Sequence, residues 1–138
     1  MRPTKRAIAA YNTTLASALD LAHWRLIIED GEPSIEALAS VYSIPQKSLA
    51  WLTYATALFD EPRESQRDAF VHELVHLHLY PLWWAATVHG TTLNKTAVTV
   101  LSLTEERTVD ALTQLLAPGL PYPPWTLRQR KAHDHDDE

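Results

Sequence analysis

Residues 72–76 read His72-Glu73-Leu74-Val75-His76, and the run around them decides the fold. Pro62-Arg63-Glu64-Ser65 suits a helix start, with proline and an acid at the positive end of the dipole. Pro81 is expected to end it, so the spacing predicts a helix over 64–79. On such a helix two His at i and i+4 lie about 40° apart and one turn up, so both rings reach one ion. Neutral imidazole is a good ligand for Zn²⁺. Glu73 sits about 100° round the helix from His72. From there its carboxylate can take a proton from a water activated by the metal without itself ligating. Phe70, Leu74 and Leu77 form one apolar stripe and Val71, Val75 and Leu79 another. The polar arc His72-Glu73-His76 therefore faces partners on a helix that is otherwise buried. Buried polar groups without partners are costly, and a metal supplies them. The competing arrangement is a core His pair satisfied by hydrogen bonds. His78 falls on the apolar back of the helix and is expected to be a satisfied core residue.

Upstream, residues 4–22 carry Ile8, Tyr11, Leu15, Leu19 and Ala22 at helical spacing. Arg2, Lys5 and Arg6 precede this stretch like the start of a signal peptide. Tyr11-Asn12-Thr13-Thr14, however, interrupts the apolar run that such a peptide needs. A cytoplasmic protein is expected. Strands are predicted over 24–29, 38–44 and 49–54, separated by Asp30-Gly31 with Pro33-Ser34 and by Pro45-Gln46-Lys47-Ser48. Downstream, 82–101 is rich in Trp, Thr and Val and has no clear period. Thr104 suits the N-cap of a last helix over 105–116, stopped by Pro118-Gly119. A single domain over 1–127 is expected, with 128–138 a charged, disordered tail.

The chain has 138 residues, 46% of them hydrophobic, which is the globular range. Its formal net charge of −5 gives no basic surface for nucleic acid. No stretch is long and apolar enough to span a membrane. There is no cysteine, so any metal must be held by His and carboxylate.

A zinc enzyme usually has three protein ligands and one open position. Glu106 and Asp110, at i and i+4, share one face of the last predicted helix. Glu106 can complete the site while Asp110 accepts a hydrogen bond from a ligand His and fixes its tautomer. The alternative is an acidic first turn that complements the helix dipole. Glu105 competes for the ligand role, because it shares a stripe with Val109, Leu112 and Leu116 that would turn it inward. Against that, an acid at a helix start can bend to solvent or cap free N–H groups.

His72-Glu73-Leu74-Val75-His76, followed by Glu106-x-x-Val109-Asp110-x-Leu112 and Leu115-Leu116-Ala117-Pro118, resembles the gluzincin metallopeptidases. The short ImmA/IrrE-like proteins of phages, mobile elements and stress regulation are the most similar. Val75 stands where that family often has Gly, and Val109 where it has Ala. The resemblance implies His72, His76 and Glu106 as zinc ligands, Glu73 as general base, and Asp110 as the carboxylate behind a ligand His. It also implies a small sheet before the active-site helix whose last strand borders the cleft, so that Leu49–Tyr54 binds a peptide by strand addition.

The expected fold is α+β: an N-terminal helix, a small three-stranded sheet, the metal helix, and a C-terminal helix with the third ligand. The expected function is zinc-dependent hydrolysis of a peptide bond, with a peptide or protein as partner. A zinc-stabilised binding or regulatory module without turnover, such as a phage accessory protein, is the alternative. Glu73 argues against it, since a purely structural site has no use for a base beside its ligands. A helical adaptor with no metal is a third reading. Tyr54, Tyr80, His89 and Arg107 are equal candidates for steadying an oxyanion. Trp83-Trp84 suits either core or a substrate wall. His133 and His135 lie in the tail and do not make a site.

Overall fold

The computed structural model describes residues 2–87 and 94–126. The first helix, α1 (Lys5–Ala18), begins where the Thr4 hydroxyl accepts from the Ala7 N–H at 3.1 Å. It buries Ile8, Tyr11, Asn12, Leu15 and Ala16 along one stripe. It ends four residues before the expected point, because Asp20 turns left-handed at φ 59° and breaks the ladder.

Three strands follow: β1 (Arg25–Ile28), β2 (Ala39–Ile44) and β3 (Leu49–Tyr54). A short 3₁₀ turn, Pro45–Lys47, and Ser48 at φ 47° fold β3 back antiparallel to β2. β1 pairs with β3 in parallel, so the order is β1-β3-β2. β3 is thus the central strand, and both its edges are filled. Leu49–Tyr54 therefore cannot accept a peptide by strand addition. Among the described residues, the free edge on that side of the sheet belongs to β2.

Ala50, Leu52 and Tyr54 alternate with half-buried Leu49, Trp51 and Thr53, as period two requires. Their face carries the core. Tyr54 stacks on Phe70 at 4.2 Å between ring centroids, and its hydroxyl donates to Asn12 Oδ1 at 3.0 Å. α1 and the second helix thereby close over the same side of the sheet.

That second helix, α2 (Arg63–Thr87), runs well past residue 79 with Pro81 inside it. Pro81 removes one N–H from the ladder and costs about 3 kcal/mol in a helix interior. The helix continues against the next one, where Trp83 Nε1 donates to Ser102 Oγ at 3.4 Å, and within α2 the Tyr80 and Trp83 rings lie 6.4 Å apart. The last helix, α3 (Lys95–Leu116), also starts earlier than the sequence suggests. Asn94, not Thr104, is its N-cap, accepting from the Ala97 N–H at 2.8 Å. Thr104 is interior and its hydroxyl donates to the Val100 carbonyl. Within the unassigned stretch 82–101, residues 82–87 are the end of α2 and 95–101 the start of α3. The architecture is α+β, a small mixed sheet with helices packed on it. Among the described residues no helix is long and apolar enough to cross a membrane. His89, His133, His135 and the segment 128–138 lie outside the described residues.

Candidate metal centre

α2 passes through the core with Phe70, Val71, Leu74, Val75 and Leu77 at most 1% exposed. Its polar arc faces α3. There His72, His76 and Glu106 bring one ligand atom each to within 4.8 Å of one another. The His76 and His72 Nε2 atoms are 3.2 Å apart. Glu106 Oε1 is 3.1 Å from His76 Nε2, and Glu106 Oε2 is 3.7 Å from His72 Nε2.

The far nitrogen of each ring faces a different carboxylate. Asp110 Oδ1 lies 3.2 Å from His72 Nδ1, and Glu105 Oε1 lies 2.5 Å from His76 Nδ1. A proton on the Nδ1 that faces Asp110 or Glu105 would leave the Nε2 of that ring as an acceptor, although Glu106 also lies 3.1 Å from His76 Nε2. In that tautomer two lone pairs and the Glu106 carboxylate would face one another. Protonating a ring would relieve the repulsion, but burial, and then the neighbouring His76, hold the His72 imidazole below its ordinary pKa. A cation relieves it without a proton. Tetrahedral zinc with bonds of 2.0–2.1 Å sets its ligand atoms about 3.3 Å apart. The Nε2–Nε2 spacing of 3.2 Å and the 3.1 Å from Glu106 Oε1 to His76 Nε2 lie close to that value, and the other Glu106 oxygen is 3.7 Å from His72 Nε2.

Glu73 lies beside the cluster and is 8% exposed. Burial, reinforced by the charges of Glu106 and Glu105, pushes its carboxyl up to about 7, against the pull of His76. A cavity of about 490 Å³ opens onto His72, Glu73 and Asp110, and Ala39 of β2 forms its other wall. The cluster is thus reachable from outside.

Sequence reasoning leaves Glu105 as a rival ligand or a solvent-facing acid. In the fold its side chain is 11% exposed and engages the outer nitrogen of His76. The signal for this is its place on the inward stripe with Val109. A helix beginning at Thr104 would weaken that signal, because Glu105 would then stand at a loose end. His78 is at the surface rather than in the core, because α2 presents this position to the end of α1. Its Nε2 there lies 2.7 Å from the Leu19 carbonyl oxygen. Of the residues considered for an oxyanion, Tyr54 is fully buried and committed to Asn12. Arg107 is exposed on α3. Tyr80 stacks on the His76 ring at 5.3 Å, and burial raises its phenol pKa so that it keeps its proton. Trp83 and Trp84 are half-buried on α2. No protein-family model, no curated protein and no solved structure matches the chain.

Proposed function

We propose that the chain is a zinc-dependent peptidase whose metal is held by His72, His76 and Glu106. The observation that carries this reading is the gathering of His72, His76 and Glu106 with one ligand atom each within 4.8 Å of one another, and a carboxylate at the outer nitrogen of each imidazole. Zinc bound there would polarise a carbonyl and lower the pKa of water. Glu73 then takes the proton of the attacking water and returns it to the leaving amine. A carboxyl near 7 is suited to both transfers at neutral pH. Tyr80 stands against His76 as a neutral hydroxyl that can donate to developing negative charge. An extended peptide would lie along the free edge of β2, where main-chain hydrogen bonds hold it beside α2.

The test is metal content and turnover together. Elemental analysis of the dialysed protein should show one zinc per chain, and His72→Ala should lose it. Glu73→Gln should keep the metal while hydrolysis of a peptide mixture falls by about 10²-fold or more. A protein that takes up no zinc overturns the reading. Loss of zinc with activity in Glu73→Gln would make Glu73 a ligand instead. Full zinc without hydrolysis of any peptide would leave a zinc-stabilised module.

A further inference from the structure

On the other side of His76 lies a second cavity of about 400 Å³, within the range of about 300–1,000 Å³ typical of small-ligand sites. Its walls come from three elements: Tyr42 and Pro45 at the end of β2, Tyr80 and Trp83 on α2, and Ser102 and Glu105 on α3. Two of these walls touch the cluster through His76. Tyr80 is the ring that stacks on His76, and Glu105 is the acid on its Nδ1. An occupant of the cavity therefore lies against the two side chains that contact His76.

We propose that this cavity takes a bulky aromatic side chain of the peptide held at the His72-His76-Glu106 cluster. The proposal rests on the peptidase reading of that cluster and names its substrate class: peptides with Phe, Tyr or Trp beside the bond that is cut. Aromatic walls favour a flat ring by edge-to-face and offset contacts as well as by burial. The charged wall, Glu105, has its Oε1 taken by His76 Nδ1. It repels an acidic side chain, as does Glu106 beyond it. A small side chain would leave most of the 400 Å³ to water and gain little.

The pocket can be tested without turnover. The metal-free protein is titrated with the N-acetyl amides of phenylalanine, alanine, arginine and glutamate, following the indole N–H resonances by NMR. Trp83→Phe assigns the Trp83 signal. The phenylalanine amide should shift that signal saturably and bind at least tenfold more tightly than the alanine amide. Ser102→Trp, which fills the cavity from α3, should abolish the shift while the rest of the spectrum and the zinc content persist. No saturable shift with the phenylalanine amide overturns the proposal, and so does tighter binding of the arginine amide. The zinc-loaded protein is then given a peptide library, where aromatic residues should be enriched at least tenfold at one position beside the cut. Cleavage without that preference overturns the pocket and leaves the peptidase. Binding of the phenylalanine amide with no cleavage of any peptide upholds the pocket and overturns the peptidase.

Discussion

Replacing Glu73 by Gln should change how stability depends on pH, by an amount that follows from the burial of the carboxyl. Its ordinary pKa of 4.5 rises to about 7 in the fold, chiefly because the charged form loses its water. A carboxyl held higher in the folded state keeps a proton that the unfolded chain has already released. The stability it contributes is fully present below about pH 4.5 and is lost as pH rises through 7. At about 1.4 kcal/mol per unit, a rise from 4.5 to about 7 corresponds to about 3 kcal/mol. For a chain of 138 residues that is a shift of about 10 °C in Tm. His72 acts the other way. Its lowered pKa gives stability that is present above 6.5 and lost as pH falls below it. The wild-type curve alone would blend the two, so the quantity to measure is the difference between wild type and Glu73→Gln. Urea unfolding of both proteins in chelator, at intervals from pH 4.5 to 8, gives it by linear extrapolation. The variant should gain on the wild type by about 3 kcal/mol across that range, most of it between pH 5 and 7. Adding zinc should shrink the gain, because a cation beside Glu73 favours its charged form. A difference flat to within about 0.5 kcal/mol would show a well-solvated carboxylate. The base assigned to this site would then lack its tuning.

Glu106→Ala should weaken zinc binding more than Glu105→Gln. The latter keeps its shape, loses only the charge on His76, and should cost about 10–100-fold in affinity. Competition with a chelating dye at a single pH measures both, and the reverse order would make Glu105 the ligand. Phe70→Ala removes the ring that packs on Tyr54, Tyr11 and Trp125 and should cost about 3–5 kcal/mol in denaturant unfolding. A loss under about 1 kcal/mol would contradict that packing. Asn12→Ala strands the buried Tyr54 hydroxyl and should cost about 1–3 kcal/mol, much of it recovered when Tyr54→Phe is added. A double variant no better than the single would refute the pairing.

The strands were legible because their signals are local. Period-two alternation in Leu49–Tyr54 and the Pro45–Ser48 turn fix where each strand begins and which side chains point inward. The order of the strands was not legible. β1 pairs with β3 across a connection that first lays down β2, and no residue in 25–54 announces that crossover. The expectation of a peptide-binding edge at β3 failed there. Both helix boundaries flanking 82–101 were misjudged for a related reason. Pro81 and Thr104 are strong local punctuation, but the two helices run through it and meet at contacts such as Trp83 to Ser102. Propensity yields where packing between elements contributes more to stability.

The site divides along the same line. His72, Glu73 and His76 lie within two turns of one helix, so their mutual geometry follows from 3.6 residues per turn and needs no knowledge of the rest of the chain. The acids on α3 depend on where that helix begins. If it started at Thr104, Glu105 would stand in a frayed first turn with water to accept its charge. With the start at Asn94, Glu105 sits in the third turn, and Val98, Ser102, Val109 and Thr113 continue its stripe at helical spacing. A carboxylate inside such a stripe must be paired, since an isolated buried charge is far too costly. The ring that stands opposite it on the metal helix is that of His76. Glu106, one step of about 100° further round, is then carried to the flank of the same ring and meets the other nitrogen. Two consecutive acids thus reach His76 at Nδ1 and Nε2, 2.5 Å and 3.1 Å away. On the proposed zinc reading they are not rivals for one role: the inward one would fix the tautomer that leaves Nε2 free, and the outward one would share the ion held there.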